Sequence, residues 1–296
     1  MTLLRQAIRD DADAGIRETA EFIGPQGTSV FGYSHLPSSR THGGVVVCSP
    51  IHAEFIRNYR REVLIGRGLA AAGVAVQRFH YRGHGNSGGQ LEDATFDTMV
   101  EDSILAAEHL REKTKVTRIA FFGTRFGAII AAAAARRFGP SPMVLWDPVS
   151  DPVQYFRDIV RAHQIQTLKS RSRGGTAEDL FDVLERSGSI DILGYVITRS
   201  LYMSAQSHSL EEETGTEPKP MLVVRRGQDS RGHRGLSDLV DRWRTRGFDV
   251  ESLSIGRTEA WWFTAGALLA KEALTEPVDV SVEWLIRSLV RSEVDA

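Results

Sequence analysis

The stretch from Arg118 to Ala128, Arg-Ile-Ala-Phe-Phe-Gly-Thr-Arg-Phe-Gly-Ala, constrains this chain more than any other. An apolar run, Arg118 to Phe122, leads into Gly123-Thr124-Arg125-Phe126-Gly127, and an alanine-rich segment from Ala128 to Arg137 follows. A strand delivered straight into a helix leaves almost no room inside the turn. The two glycines supply that room, because neither carries a Cβ to hold strand and helix apart. The central residue of such a turn projects from the bend, and here it is Arg125. A guanidinium stays protonated in proteins, so it donates hydrogen bonds but cannot attack a carbonyl.

The surrounding pattern repeats this strand-then-helix rhythm. Gly44-Val45-Val46-Val47-Cys48-Ser49 is a continuous β-branched run, as expected of a strand covered on both faces. Arg60 to Ala72 has helical spacing and stops at Gly73, and Val74 to Phe79 is the next strand. Thr95 to Lys113 carries Phe96, Met99, Val100, Ile104 and Leu105 on one stripe. Strands at 142–146, 221–226 and 249–255, with helices near 236–246 and 280–290, extend the series. Glu18 to Ile23 and Ser29 to His35 flank Gly24-Pro25-Gln26-Gly27 and read as an antiparallel hairpin. The expected fold is α/β, a mostly parallel sheet of about eight strands flanked by helices. Between Asp151 and Pro218 the rhythm breaks into helix-like segments without a convincing sheet strand. The expected organisation is therefore a core of residues 1–150 and 219–296, with 151–218 inserted as a helical cap.

Composition excludes several classes of function. Formal net charge is −2 over 296 residues, so no basic excess argues for nucleic acid or an anionic membrane. The single Cys48 excludes an intrachain disulfide and a multi-cysteine zinc site, which fits a reducing compartment. The longest apolar run, Ile129 to Ala135, is far short of the ~20 residues of a membrane span. Charge also arrives too early at the N-terminus for a secretory leader, so a cytoplasmic location is expected. His80 and His84 stand four apart, but Gly83 and Gly85 deny the helix that would align them on a metal. No metal or cofactor is expected.

In this order the marks resemble the α/β-hydrolase superfamily, in particular its serine-aminopeptidase-like branch and the hydrolases associated with exosortase systems. The resemblance rests on Cys48-Ser49-Pro50-Ile51-His52-Ala53-Glu54, Tyr81-Arg82-Gly83-His84-Gly85-Asn86-Ser87, the turn at Gly123, Asp147-Pro148-Val149 and Gly194-Tyr195. It implies an ester, thioester or amide hydrolase with a serine where Arg125 stands. It also implies an oxyanion hole from the backbone N–H groups of Phe126 and of Ile51 or His52, with the acid at Asp229. The base position after Ile255 reads Gly256-Arg257-Thr258-Glu259-Ala260-Trp261-Trp262, and the last histidine of the chain is His233. Nucleophile and base are both missing from the triad-equivalent positions Arg125, Asp229 and Glu259.

Two readings of Arg125 follow. It forms a salt bridge with Asp147, Asp229 or Glu259, or it grips the carboxylate or phosphate of a small ligand under the cap. Arg125, His52, His84, Asp147, Trp261 and Trp262 are the candidate ligand-binding residues. Ordinary serine-hydrolase activity is not expected. The alternatives are an acyl hydrolase or acyltransferase with a relocated nucleophile, Cys48, Ser49 or Ser87, and a non-hydrolytic cyclase or lyase. Of these, Cys48 reads more readily as a core residue and Ser87 as a turn residue. The partner is a small molecule or acyl substrate.

Overall fold

Nine strands form one sheet in the computed structural model, which describes residues 6–170, 179–226, 234–255 and 271–290. In chain order they are β1 (Gln6–Asp11), β2 (Ile16–Ile23), β3 (Val30–Pro37), β4 (Gly43–Cys48), β5 (Val74–His80), β6 (Ile119–Thr124), β7 (Met143–Trp146), β10 (Pro220–Arg226) and β11 (Asp249–Ile255). Their spatial order is β1-β2-β3-β5-β4-β6-β7-β10-β11. The first three run antiparallel, and every pairing from β5 to β11 is parallel. The sheet holds one strand more than the eight expected. The addition, β1, is an edge strand whose Gln-Ala-Ile-Arg-Asp-Asp has no apolar alternation to announce it.

Helices cover both faces because the central parallel strands β4, β6 and β7 are buried along their whole length. In β4, Val46 and Cys48 join the core beneath α2 (Phe96–Thr114) and α3 (Phe126–Phe138). Val45 and Val47 face the opposite core, shared with α1 (His52–Ala71) and α9 (Lys271–Val290). That division is the period-two alternation of a strand. Helix α8 (Arg234–Thr245) follows β10 and packs beside β11.

Among the described residues between β7 and β10 the chain adds no strand to the central sheet. It forms α4 (Pro152–Ser170), α5 (Leu180–Ser187), α6 (Arg199–Ala205) and α7 (Leu210–Thr214). It also forms a separate antiparallel hairpin, β8 (Ser189–Ile192) with β9 (Tyr195–Thr198), where only helices were expected. Its tight turn places Leu193 at φ 57° and Gly194 at φ 85°. Leucine is a poor signal for a turn that needs positive φ at both central residues. The Asp191 carboxylate compensates by accepting from the Gly194 N–H at 2.9 Å.

Candidate functional site

The turn between β6 and α3 places Arg125 at φ 55° and ψ −121°, a region that L-residues sparsely populate. Both flanking glycines are needed there. A Cβ on Gly123 would lie 2.3 Å from the Gly127 carbonyl, and one on Gly127 would lie 2.1 Å from the Cys48 carbonyl. The start of α3 therefore packs directly on the end of β4 and the loop after it, the loop that leads through Ile51 into His52 at the start of α1. Phe126, the first residue of α3, is fully buried and packs edge-on to Phe96. Its backbone N–H belongs to the first turn, where α-helix geometry supplies no partner.

Arg125 meets a carboxylate that is not among its three expected partners, that of Glu54. Its Nε donates to Glu54 Oε1 at 3.1 Å, and a terminal nitrogen donates to the Asp147 carbonyl at 3.1 Å. The Tyr155 hydroxyl donates to Glu54 Oε2 at 3.1 Å, and the guanidinium carbon lies 5.7 Å from the Tyr155 ring centre. Burial opposes the charge, but Glu54, Tyr155 and Asp147 outweigh it and raise the pKa of Arg125. Burial, reinforced by Glu54, likewise holds the Tyr155 phenol well above its usual range. Asp147 sits at φ 40° and contributes its backbone carbonyl to the guanidinium. Of the three expected partners, Asp229 and Glu259 lie outside the described residues, as do Trp261 and Trp262.

Glu54 was missed because helix α1 begins eight residues before the periodic segment that announced it. Its buried face runs Glu54, Asn58, Arg61, Glu62, Ile65, Leu69, so the inner stripe is polar at its start and apolar at its end. Stepping back from Leu69 and Ile65 by threes and fours would have reached it. The same polar stripe builds a network beneath the turn. Asn58 donates to Glu62 Oε1 at 3.1 Å and to Thr124 Oγ1 at 3.3 Å, and Arg78 lies 3.4 Å from Glu62 Oε2. Burial raises the pKa of Glu62 despite these partners.

Each of the three alternative nucleophiles is held by a hydrogen bond within the protein, and Ser49 also lines the smaller of the two cavities beside the turn. Cys48 is fully buried, and its thiol donates to Ser103 Oγ at 3.5 Å. Burial pushes the thiol up to about 12, so it is neutral near pH 7 and sealed from substrate. Ser49 is buried and donates to Glu62 Oε2 at 2.9 Å. Ser87 donates to the His80 carbonyl at 2.6 Å and accepts from the Phe31 N–H at 2.8 Å, which makes it a turn-holding residue.

Two cavities open beside the turn, between the carboxyl end of the sheet and the β8–β9 hairpin. The smaller, about 230 Å³, is lined by Ile51, Phe55, His80, His84, Tyr195 and Val196 among others. The larger, about 390 Å³, is lined by Glu54, Arg57, Tyr155, Ile159, Leu193 and Ile197 among others. His52 and Tyr195 line both. Arg125 lines neither. The His52 backbone is at φ 55°, and burial, with His84 nearby, lowers its imidazole to about 3. Burial also lowers His80 to about 4, with Arg78 and His84 adding to the effect, and lowers His84. All three rings are neutral near pH 7. Among the described residues no three His, Cys, Asp or Glu side chains gather as a metal-binding group. No helix among them is long and apolar enough to cross a membrane.

Comparison with known proteins agrees with this architecture. A family model described as serine aminopeptidase, S33, matches residues 41–185. The esterase EstD of Thermotoga maritima is 25% identical over 122 residues, which are 41% of this chain and 29% of that protein. This chain thus spans less than a third of that relative's length. Among solved structures, Est1E from Butyrivibrio proteoclasticus with ferulic acid bound superposes with a TM-score of 0.63 at 17% identity. The match covers 91% of this chain and 99% of that one. An esterase of Pyrococcus furiosus gives 0.62 at 15% identity, with 95% of each chain covered. Carboxyl esterase 2 of Tuber melanosporum gives 0.61 at 15% identity, covering 95% of this chain and 89% of that one. The fold is that of the α/β-hydrolases, and the family match supports the α/β-hydrolase superfamily.

Proposed function

We propose that this α/β-hydrolase-fold chain is a binding protein without serine-hydrolase chemistry, and that it takes a small, largely apolar molecule beneath a cap formed by residues 151–218. Arg125 stands where the fold's esterases carry the nucleophilic serine. One observation carries the reading: the central side chain of the turn is a guanidinium whose Nε is held by Glu54 and whose terminal nitrogen is held by the Asp147 carbonyl. Such a group has no lone pair to attack a carbonyl and is occupied by protein partners. The salt-bridge role is the better supported of the two readings of Arg125, with Glu54 as its carboxylate. The anionic-ligand reading has less support, because the guanidinium is not on the wall of either cavity.

The walls favour an apolar guest. Ile51, Phe55, Phe79, Leu91 and Val196 surround the smaller cavity, and Ile159, Ile192, Leu193 and Ile197 the larger. Relocated-nucleophile chemistry is disfavoured at Cys48, which is sealed in the core, and at Ser87, which holds its turn; Ser49, held by Glu62, is the one that the test must address. The test combines intact-mass measurement after a fluorophosphonate probe with thermal-shift titration of small apolar compounds. The reading predicts no adduct and a saturable rise in Tm for some compounds. Rapid ester turnover lost in Ser49→Ala or Cys48→Ala would overturn it.

A further inference from the structure

At its antiparallel flank the sheet aligns two rows of side chains on the face that α1 covers. The register sets Ala7 opposite Ala20, Ala20 opposite Tyr33 and Tyr33 opposite Arg78 in one row. It sets Arg9 opposite Glu18, Glu18 opposite His35 and His35 opposite Val76 in the other. Residues directly opposite share a face, and Val76 belongs to the core under α1, which fixes that face. Thr19 and Ser34, between the rows, turn the other way, where Lys113 donates to both. Helix α1 lays Tyr59, Val63 and Arg67 above the rows. Because Ala7 and Ala20 are small, a groove of about 270 Å³ is left between helix and sheet.

Arg78 lines the inner end of this groove and is 3% exposed. Its guanidinium carbon lies 4.4 Å from the Tyr59 ring centre and 5.8 Å from that of Tyr33, whose hydroxyl is engaged by Tyr59 and Asn86. Nη2 lies 3.4 Å from Glu62 Oε2, longer than a good charge-assisted bond. Nε is sealed without a hydrogen-bond partner; Nη1 is not sealed, and it too makes no hydrogen bond among the described residues. A guanidinium carries five N–H donors, and burying them unmade is costly. The other charges on the wall answer one another. Glu18 accepts from Arg67 at 2.8 and 3.0 Å, with His35 Nδ1 at 2.9 Å and Arg9 at 3.8 Å. Arg78 is therefore the buried cation of this wall with donors to spare.

We infer that this groove is a second ligand site, for a monocarboxylate with an unbranched apolar tail. The carboxylate accepts from Arg78 Nη1 at the inner end, and the tail runs over Ala20 and Ala7, beneath Val63, toward the sheet edge. From β5 to β1 there are three strand spacings, about 14 Å, the reach of an extended octanoate. A phosphate would ask more donors of the one guanidinium and bring no apolar surface to the alanine floor. The site shares no lining residue with either cavity beside the β6–α3 turn, so it stands apart from the binding-protein reading above.

The experiment is calorimetric titration of the full chain with octanoate, octanamide, acetate and inorganic phosphate. Octanoate should bind about tenfold more tightly than octanamide, the effect of one charged hydrogen bond, and more tightly than acetate or phosphate. In the double variant Arg78→Met, Glu62→Gln, which strands no charge, octanoate should fall to the affinity of octanamide. In Ala20→Leu, whose side chain fills the groove floor, octanoate should weaken about tenfold, while the Tm rise produced by compounds in the cap cavities stays as in the wild type. Ala7→Leu, on the edge strand, supplies the same block should Ala20→Leu or the double variant fail to fold. Equal binding of octanoate and octanamide to the wild type overturns the Arg78 contact and with it the inference. So does octanoate affinity that is undiminished in both alanine variants, since the guest then lies elsewhere. Acetate or phosphate binding as tightly as octanoate overturns it in favour of a bare anion site. Absence of octanoate binding overturns it outright, and none of these results touches the reading of the cap cavities.

Discussion

Truncating Arg125 to alanine leaves the Glu54 carboxylate beside Tyr155 without its cation, in a site where both charged groups are largely buried. Breaking a buried pair from one side is costly, and a loss of about 3 kcal/mol is expected, read as a fall in the denaturant midpoint. The double variant Arg125→Met, Glu54→Gln should recover much of that loss, because no charge is then stranded. Equal losses in the single and double variants would show that Glu54 is not the partner that matters. Arg125→Ser should not create an efficient esterase, since no histidine follows His233 in the sequence to serve as base. At this scale Arg125 was legible, because its flanking glycines mark the turn. Its partner was not, because Glu54 precedes the periodic part of α1. Which carboxylate reaches a guanidinium is a fact of three dimensions.

The β6–α3 turn and the β8–β9 hairpin are the elements on which the site depends. Gly127→Ala would drive a Cβ to 2.1 Å from the Cys48 carbonyl and 2.5 Å from the Ser49 carbonyl, both backbone atoms that cannot step aside. The expected result is a loss of several kcal/mol or failure to fold, checked by circular dichroism and chemical denaturation. Gly139→Ala is the control for crowding: nothing lies within 4 Å of its Cβ position, though its φ of 126° carries strain of its own. A milder effect is expected at α2, where Thr95 and Thr98 form reciprocal cap bonds. Thr95→Ala should cost about 1 kcal/mol. The parallel strands were legible because continuous β-branched runs have few other uses. The hairpin was not, because two four-residue strands offer no sustained alternation, and Leu193 beside Gly194 masks a turn that needs positive φ at both residues.

The whole molecule should also report its buried imidazoles through its pH dependence. His52 is lowered to about 3, and His35 and His80 to about 4, from an ordinary value of 6.5, in each case chiefly by burial. The unfolded chain therefore binds protons that the fold refuses, and stability is full above pH 6.5 and falls as pH drops toward 4. Glu18 and Glu21, held below 4.5 by Arg67 and Lys113 against their own burial, lose their contribution only at lower pH. Between pH 6.5 and 5 the slope belongs mainly to histidine, and His52→Asn should flatten it. A wild-type stability independent of pH across that window would contradict the neutral cavity. The mostly parallel sheet, the covering helices and the interruption after β7 were legible at this scale as alternation and its loss, whereas the order of the strands was not. The cavities were not, since a void is defined by side chains from β5, α1 and β9 that meet only in the fold. The most direct test of the central claim, that Arg125 has replaced covalent chemistry, is intact-protein mass after exhaustive fluorophosphonate treatment. The account predicts an unchanged mass; a stoichiometric single adduct that disappears in Ser49→Ala or Ser87→Ala, with the fold intact, would contradict it.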